Sequence, residues 1–214
     1  MQTKEDYILM RSARRSLVLT VNAEGRVVVR APQKTPVADI ERFILSHAAW
    51  IAWRRAELAR VRPDLTDGGT LCIFGIPRTI VQGNMARLAG DTLLLPSSAR
   101  EEALVALLKK LSRKRMGALL QEYAARYGFS YSSLRITSAR GRWGSCSEKG
   151  NISFSFRTAF LSEEEARYLA VHELCHTRRM DHSPAFWKEV GAILPDFLRI
   201  RKGLRKKGAY MAFL

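Results

Sequence analysis

Acidic residues are scarce. The 214-residue chain carries 20 Asp and Glu against 36 Lys and Arg, a formal charge of +16 at pH 7. Such a deficit draws polyanions and steers anionic substrates, but by itself dictates no chemistry. Cysteine is scarcer. Cys72, Cys146 and Cys175 are the only three, an odd number without a C-x-x-C pair. This excludes a disulfide framework closed within the chain and points to a reducing, cytoplasmic compartment. No apolar run approaches the ~18 residues that span a membrane, so no membrane partner is expected. The opening MQTKEDYILM mixes both charge signs and lacks the apolar stretch of a secretory leader. Hydrophobic residues at 47% and charged residues at 26% exclude general disorder.

The hydrophobic pattern predicts an α+β protein. Arg14–Val21 and Arg26–Ala31 read as strands joined by a Gly25-containing hairpin link. Pro36 opens a helical stretch to Val61, and His47 within it is expected to be structural. Thr70–Phe74, Arg78–Gln82 and Thr92–Leu95 read as short strands between Gly and Pro breaks. A long helix follows from Ala99 to Tyr127, with Leu104, Leu108, Met116, Leu119, Leu120 and Tyr123 on its apolar stripe and Gly128 as its stop. Residues 1–96 are therefore expected to form an N-terminal strand–helix–strand portion and residues 97–214 a catalytic domain. In the latter, Leu134–Thr137 and Asn151–Phe156 read as strands and Ala139–Cys146 as a loop. Ser162 with Glu163, Glu164 and Glu165 marks a helix start with a capping box.

That helix contains His172-Glu173-Leu174-Cys175-His176. Residues i and i+4 differ by about 40° around a helix, so the two imidazoles leave one face together and can bind one Zn²⁺. Glu173 points about 100° away from His172, beside the metal, where a carboxylate can take a proton from metal-bound water. A third ligand is needed, with one position left for water. His182 serves only if the helix ends just after His176 and the chain turns back. Ser183 and Pro184 then open the next helix as cap and first residue. Cys146 and Cys175 are not expected among the ligands. Ligation by three imidazoles suits Zn²⁺, though Co²⁺, Ni²⁺ and Mn²⁺ are compatible with it.

Arg142-Trp143-Gly144-Ser145-Cys146-Ser147, the His172–His176 motif and Asp181-His182-Ser183-Pro184-Ala185-Phe186-Trp187 together resemble the YgjP-like metallopeptidase family. They are similar, more distantly, to the SprT-like zinc proteases. The resemblance implies a zincin-like core with an active-site helix and a small antiparallel sheet. It also implies one zinc per chain held by His172, His176 and His182, with Glu173 as base. The family often has Asn before the third histidine, and here Asp181 stands there, either orienting His182 or serving the helix entry.

Substrate contacts follow less directly. The zincin resemblance places Asn151–Phe156 where an extended peptide pairs with a strand. Arg140 and Arg142, close to that strand, are candidates for holding an oxyanion or an anionic substrate group. The expected activity is therefore zinc-dependent hydrolysis of a peptide or protein. The rival readings are a metal-dependent nucleotide phosphohydrolase and a DNA-associated, SprT-like protease. Both draw on the basic surface, including the Lys109–Arg115 and Arg199–Lys207 runs, as a nucleotide or nucleic-acid partner site.

Overall fold

The computed structural model of the chain describes residues 7–214. Two compact units divide it, one ending at Arg62 and one spanning Pro63–Ala212 with Leu214. This division differs from the sequence-based boundary at residue 96. Leu71, Ile80, Leu93 and Leu95 share a core with Leu104 and Leu108, so the strands before Pro96 belong with the helix after it.

In the first unit, β1 (Tyr7–Ser12), β2 (Val18–Val21) and β3 (Val27–Pro32) form a sheet in the order β1-β3-β2. β2 and β3 make the expected hairpin. Gly25 takes φ 79°, a left-handed value that side chains disfavour. β1, which the sequence reading missed, pairs parallel with β3. The single helix expected after Pro36 is broken into α1 (Val37–Ser46) and α2 (Ala48–Val61). The break is His47, whose Nδ1 lies 2.9 Å from the Phe43 carbonyl oxygen and 3.0 Å from Ser46 Oγ. His47 is therefore occupied locally, as a structural residue.

The second unit starts with β4 (Thr70–Ile73), β5 (Ile76–Gln82), β6 (Arg87–Ala89) and β7 (Thr92–Leu95), ordered β4-β5-β7-β6. α3 (Arg100–Tyr127) runs 28 residues and ends at Gly128 in the left-handed region. Its N-terminal half packs Leu104 and Leu108 on the four-stranded sheet. Its C-terminal half packs Met116, Leu119 and Leu120 in a second core with Ile152, Phe154, Val171 and Leu174. Between the two, buried Ser112 donates 2.8 Å to the Phe156 carbonyl.

The second sheet comprises β8 (Ser133–Thr137), β9 (Gly144–Cys146) and β10 (Asn151–Ser155), in the order β8-β10-β9. Two expectations need correction. Ala139–Cys146 is not all loop, because its last three residues pair antiparallel with β10. The sheet is not purely antiparallel either, because β10 runs parallel to β8. A parallel pair needs a long connection, and the segment between Thr137 and Asn151, which carries β9, provides it.

A 3₁₀ turn (Phe156–Phe160) leads to α4 (Glu163–Cys175), α5 (Pro184–Ile193) and α6 (Phe197–Lys206). Both halves of the capping box form at the start of α4. Glu165 N–H donates to Ser162 Oγ, and Ser162 N–H donates 2.7 Å to Glu165 Oε2. No helix among the described residues is long and apolar enough to cross a membrane.

Arg157, in the 3₁₀ turn, is wholly buried. Its guanidinium donates to the carbonyls of Ser138 (3.1 Å), Ala139 (3.3 Å) and Leu214. It fixes the start of the segment that becomes β9. Arg157→Met would strip the Ser138 carbonyl of its donor and take one donor each from the Ala139 and Leu214 oxygens, a loss of about 2–4 kcal/mol. The melting temperature should fall by roughly 5–12 °C. A calorimetric shift under about 1 °C would remove this anchoring role.

Candidate metal centre and active site

The site begins with a helix stop. α4 ends at Cys175, and His176 is its C-cap. Thr177 N–H donates 2.9 Å to the Leu174 carbonyl, and Arg179 N–H donates 3.0 Å to that of Cys175. Arg178 then reaches back to the end of α3, donating to the carbonyls of Tyr127 (2.9 Å) and Gly128 (2.7 Å). It also pairs with Glu189 at 2.7 Å. The chain is thereby turned so that His182 returns to the face carrying His172 and His176.

Ser183 caps α5, accepting from Phe186 N–H, and Pro184 occupies the first turn. Asp181 Oδ1 accepts from Ser183 Oγ at 2.9 Å. That decides between its two readings: Asp181 serves the helix entry, and among the described residues it makes no hydrogen bond to His182.

The three imidazoles converge. His172 Nε2 lies 3.2 Å from His176 Nε2 and 3.2 Å from His182 Nε2. The candidate ligand atoms of all three lie within 4.8 Å of one another. One ring nitrogen cannot complete good hydrogen bonds to both neighbours, because it carries one proton or one lone pair. Two imidazole nitrogens at about 2.05 Å from a tetrahedral ion stand about 3.3 Å apart. The observed gaps therefore match a shared cation better than a hydrogen-bonded trio.

His176 Nδ1 faces the Arg179 carbonyl at 2.9 Å. Donation there leaves Nε2 unprotonated and aimed at its neighbours. Burial, followed by the nearby His176, His182 and Arg201 charges, pushes the His172 pKa down to about 3. His182 is lowered too, by burial and then by His176. Both shifts favour the neutral form that a metal requires.

Aromatic rings hold the trio from behind. Buried Phe186 lies 4.5 Å from the His176 ring and 5.0 Å from that of His182. Trp187 stacks on His182 at 5.4 Å. Phe186 and Trp187 follow His182 so closely that the α5 start delivers the third histidine together with its packing surface.

Glu173 is 3% exposed, and its Oε2 has no hydrogen-bond partner. Burial pushes its pKa up to about 8, while the Arg142 charge pulls the other way. A buried carboxylate oxygen without a protein partner is costly, and it marks a site shaped for something else. β9 passes directly over it. A Cβ on Gly144 would lie 2.6 Å from Glu173 Oε1 and 2.9 Å from Phe154 Cδ1. Only glycine lets this strand approach so closely.

A family model described as YgjP-like, metallopeptidase domain, matches residues 15–207. The chain belongs to this YgjP-like metallopeptidase family. Among solved structures, the metallopeptidase zymogen of Pyrococcus abyssi abylysin shares 28% identity, over 43% of this chain and 93% of that one, with a TM-score of 0.40. No curated protein matches the chain. Membership supports hydrolase, protease and metal-binding character for this YgjP-like chain.

The expected substrate residues divide. Arg142 lines the cleft beside the histidines, next to Trp143, Gly144 and Glu173. Arg140 does not line it, and donates instead to the Leu214 carbonyl at 3.4 Å. Asn151 lies in a separate cleft with Ser145, Ser147 and Ser153, its Oδ1 accepting from Ser133 Oγ at 2.7 Å. β10 cannot accept a substrate strand, because β8 and β9 fill both of its edges. The edge strands are β8 and β9, and β9 is the one that passes over Glu173. Trp143 C=O and Ser147 N–H bond to β10. The antiparallel alternation therefore turns the backbone groups of Gly144 and Cys146 outward.

The sequence reading missed Gly144, Tyr168, Trp187, Arg201 and Arg205 as cleft-lining residues. Arg201 and Arg205 were visible as a pair four apart in the basic C-terminal run. Burial pushes the Cys175 thiol up to about 12 and, with help from Glu173, that of Cys146 up to about 11. Neither offers a ready thiolate.

His182→Ala should abolish stoichiometric metal binding, read by elemental analysis of purified protein. Full retention would remove His182 from the ligand set. Gly144→Ala should keep the metal while displacing Glu173, lowering peptide turnover about 10–100-fold. Unchanged turnover in a metal-loaded variant would show that the close approach has no catalytic weight.

Proposed function

We propose that the chain is a zinc-dependent peptidase with a zincin-type core, in which His172, His176 and His182 hold one Zn²⁺ and Glu173 is the general base. The observation that carries this reading is the pair of 3.2 Å Nε2 gaps beside a buried, half-unpartnered carboxylate. Zinc is favoured among divalent ions because three neutral imidazoles with an open fourth position form its usual catalytic environment. Held there, zinc would supply Lewis acidity toward the scissile carbonyl and lower the pKa of a water.

The chain's own residues supply the rest. Glu173 Oε2, free of protein partners, takes the proton of the attacking water and later passes it to the leaving amine. Burial raises its basicity above that of an exposed carboxylate. An extended peptide adds to the outer edge of β9, using the backbone groups of Gly144 and Cys146. Phe186 and Trp187 keep the histidine rings in place through the cycle.

A nucleotide phosphohydrolase would use the same ion, and the arginines along the cleft are the observation in its favour. Glu173→Gln separates residue role from metal loading. The variant should retain one equivalent of zinc and lose turnover of denatured casein by about 10²–10⁴-fold. Full activity would remove the base assignment. Hydrolysis of nucleoside triphosphates without any casein cleavage by the parent protein would favour the rival.

A further inference from the structure

The cleft beside the histidines has a volume of about 340 Å³, and Glu173 is its one acidic lining residue. Three arginines line it: Arg142 before β9, and Arg201 and Arg205 on α6. Of the other basic groups on α6, the exposed Lys202 and Lys206 make no ion pair among the described residues. On α6 and just beyond it, Arg199 pairs with Glu164 and Lys207 pairs with Glu165 at 2.6 Å. Arg201 and Arg205 stand between those two, four residues apart and so on one face of the helix. Among the described residues, neither has an ion pair, and nor does Arg142.

Two guanidinium groups at this spacing repel each other. The fold keeps both side chains in the cleft lining despite that repulsion. Arg201 is also held in position. Its Cζ lies 4.3 Å from the centre of the Trp187 ring, which stacks on Phe197 at 5.5 Å and on His182 at 5.4 Å. A planar fork braced by an aromatic stack is preorganised for a two-oxygen anion. The ring that braces it also touches a candidate metal ligand, so the anion would sit next to the reacting bond.

We propose that this cleft binds a substrate carboxylate through Arg201 and Arg205, with Arg142 adding charge from the β9 side. The substrate class is a peptide that carries an Asp or Glu side chain, or a free C-terminus, close to the scissile bond. This deepens the peptidase reading and rests on it.

Two matched pairs of fluorogenic peptides separate the sources of the carboxylate. One pair differs as Glu against Gln beside the scissile bond, with blocked ends. The other differs as free acid against amide at the C-terminus. The acid member of at least one pair should be cleaved with kcat/KM about tenfold or more above its neutral twin. Added salt at about 0.5 M should shrink that gap. Arg201→Gln and Arg205→Gln should each erase most of the gap. Arg205 is exposed, so its replacement serves if loss of the Trp187 contact unfolds the other variant. Equal cleavage within both pairs, or equal loss on acid and neutral peptides in the variants, overturns the proposal.

Tryptophan-fluorescence titration of the same pairs into zinc-loaded Glu173→Gln protein reads binding without turnover. Tighter binding of the acid member, with no cleavage by the parent protein, keeps the carboxylate site and sinks the peptidase reading. Equal binding within both pairs sinks the site. Tight ATP binding that is lost in Arg201→Gln, with no preference for acid peptides, overturns the carboxylate in favour of a phosphate.

Discussion

Everything at the site depends on where α4 stops. A helix continued past His176 would carry His182 about 9 Å further along the axis and off the ligand face. The stop is imposed from outside the helix. Arg178 spends its guanidinium on the last carbonyls of α3 and on Glu189 of α5. The residue two places beyond the second histidine thus joins three helices and sets the return path. Ser183 and Asp181 then start α5 at the spot where His182 faces its partners. The histidine spacing in the sequence is the visible trace of this junction.

A second constraint is the approach of β9 to Glu173. The strand passes so near that a methyl group on Gly144 would overlap the carboxylate. Arg157 fixes the chain upstream of it, and pairing with β10 fixes the strand itself. A buried charge-bearing side chain, an edge strand and a wholly buried arginine therefore form one assembly. The proposed peptidase chemistry would need all of its parts, because a base at Glu173 and a peptide added to β9 would have to keep their distance from each other through every cycle.

The sequence disclosed what depends on local spacing. The i, i+4 histidines, the Ser162 capping box, the Ser183-Pro184 start and the Gly128 stop are short-range patterns, and each predicted an element end within a residue. Long-range pairings were not disclosed. β1 lies parallel to β3 through contacts twenty residues away, and β9 is too short to register as a strand before its partner is known. The break at His47 comes from a ring that captures its own helix carbonyl, which apolar periodicity does not register. Arg201 and Arg205 read in the sequence only as members of the basic Arg199–Lys207 run. Their setting became evident only when α6 was found to pack beside Trp187.

β9 has only three residues. An unpaired strand edge offers itself to any extended chain, other copies of the same protein included, and long flat edges seed aggregation. Here the exposed Arg142 lies just before the strand and the exposed Glu148 and Lys149 just after it. So short a ladder, with charge at both ends, holds a visiting chain through few backbone bonds. The same brevity that discourages self-association would, on the peptidase proposal, let bound fragments depart quickly and leave discrimination among peptides to the walls of the neighbouring cleft.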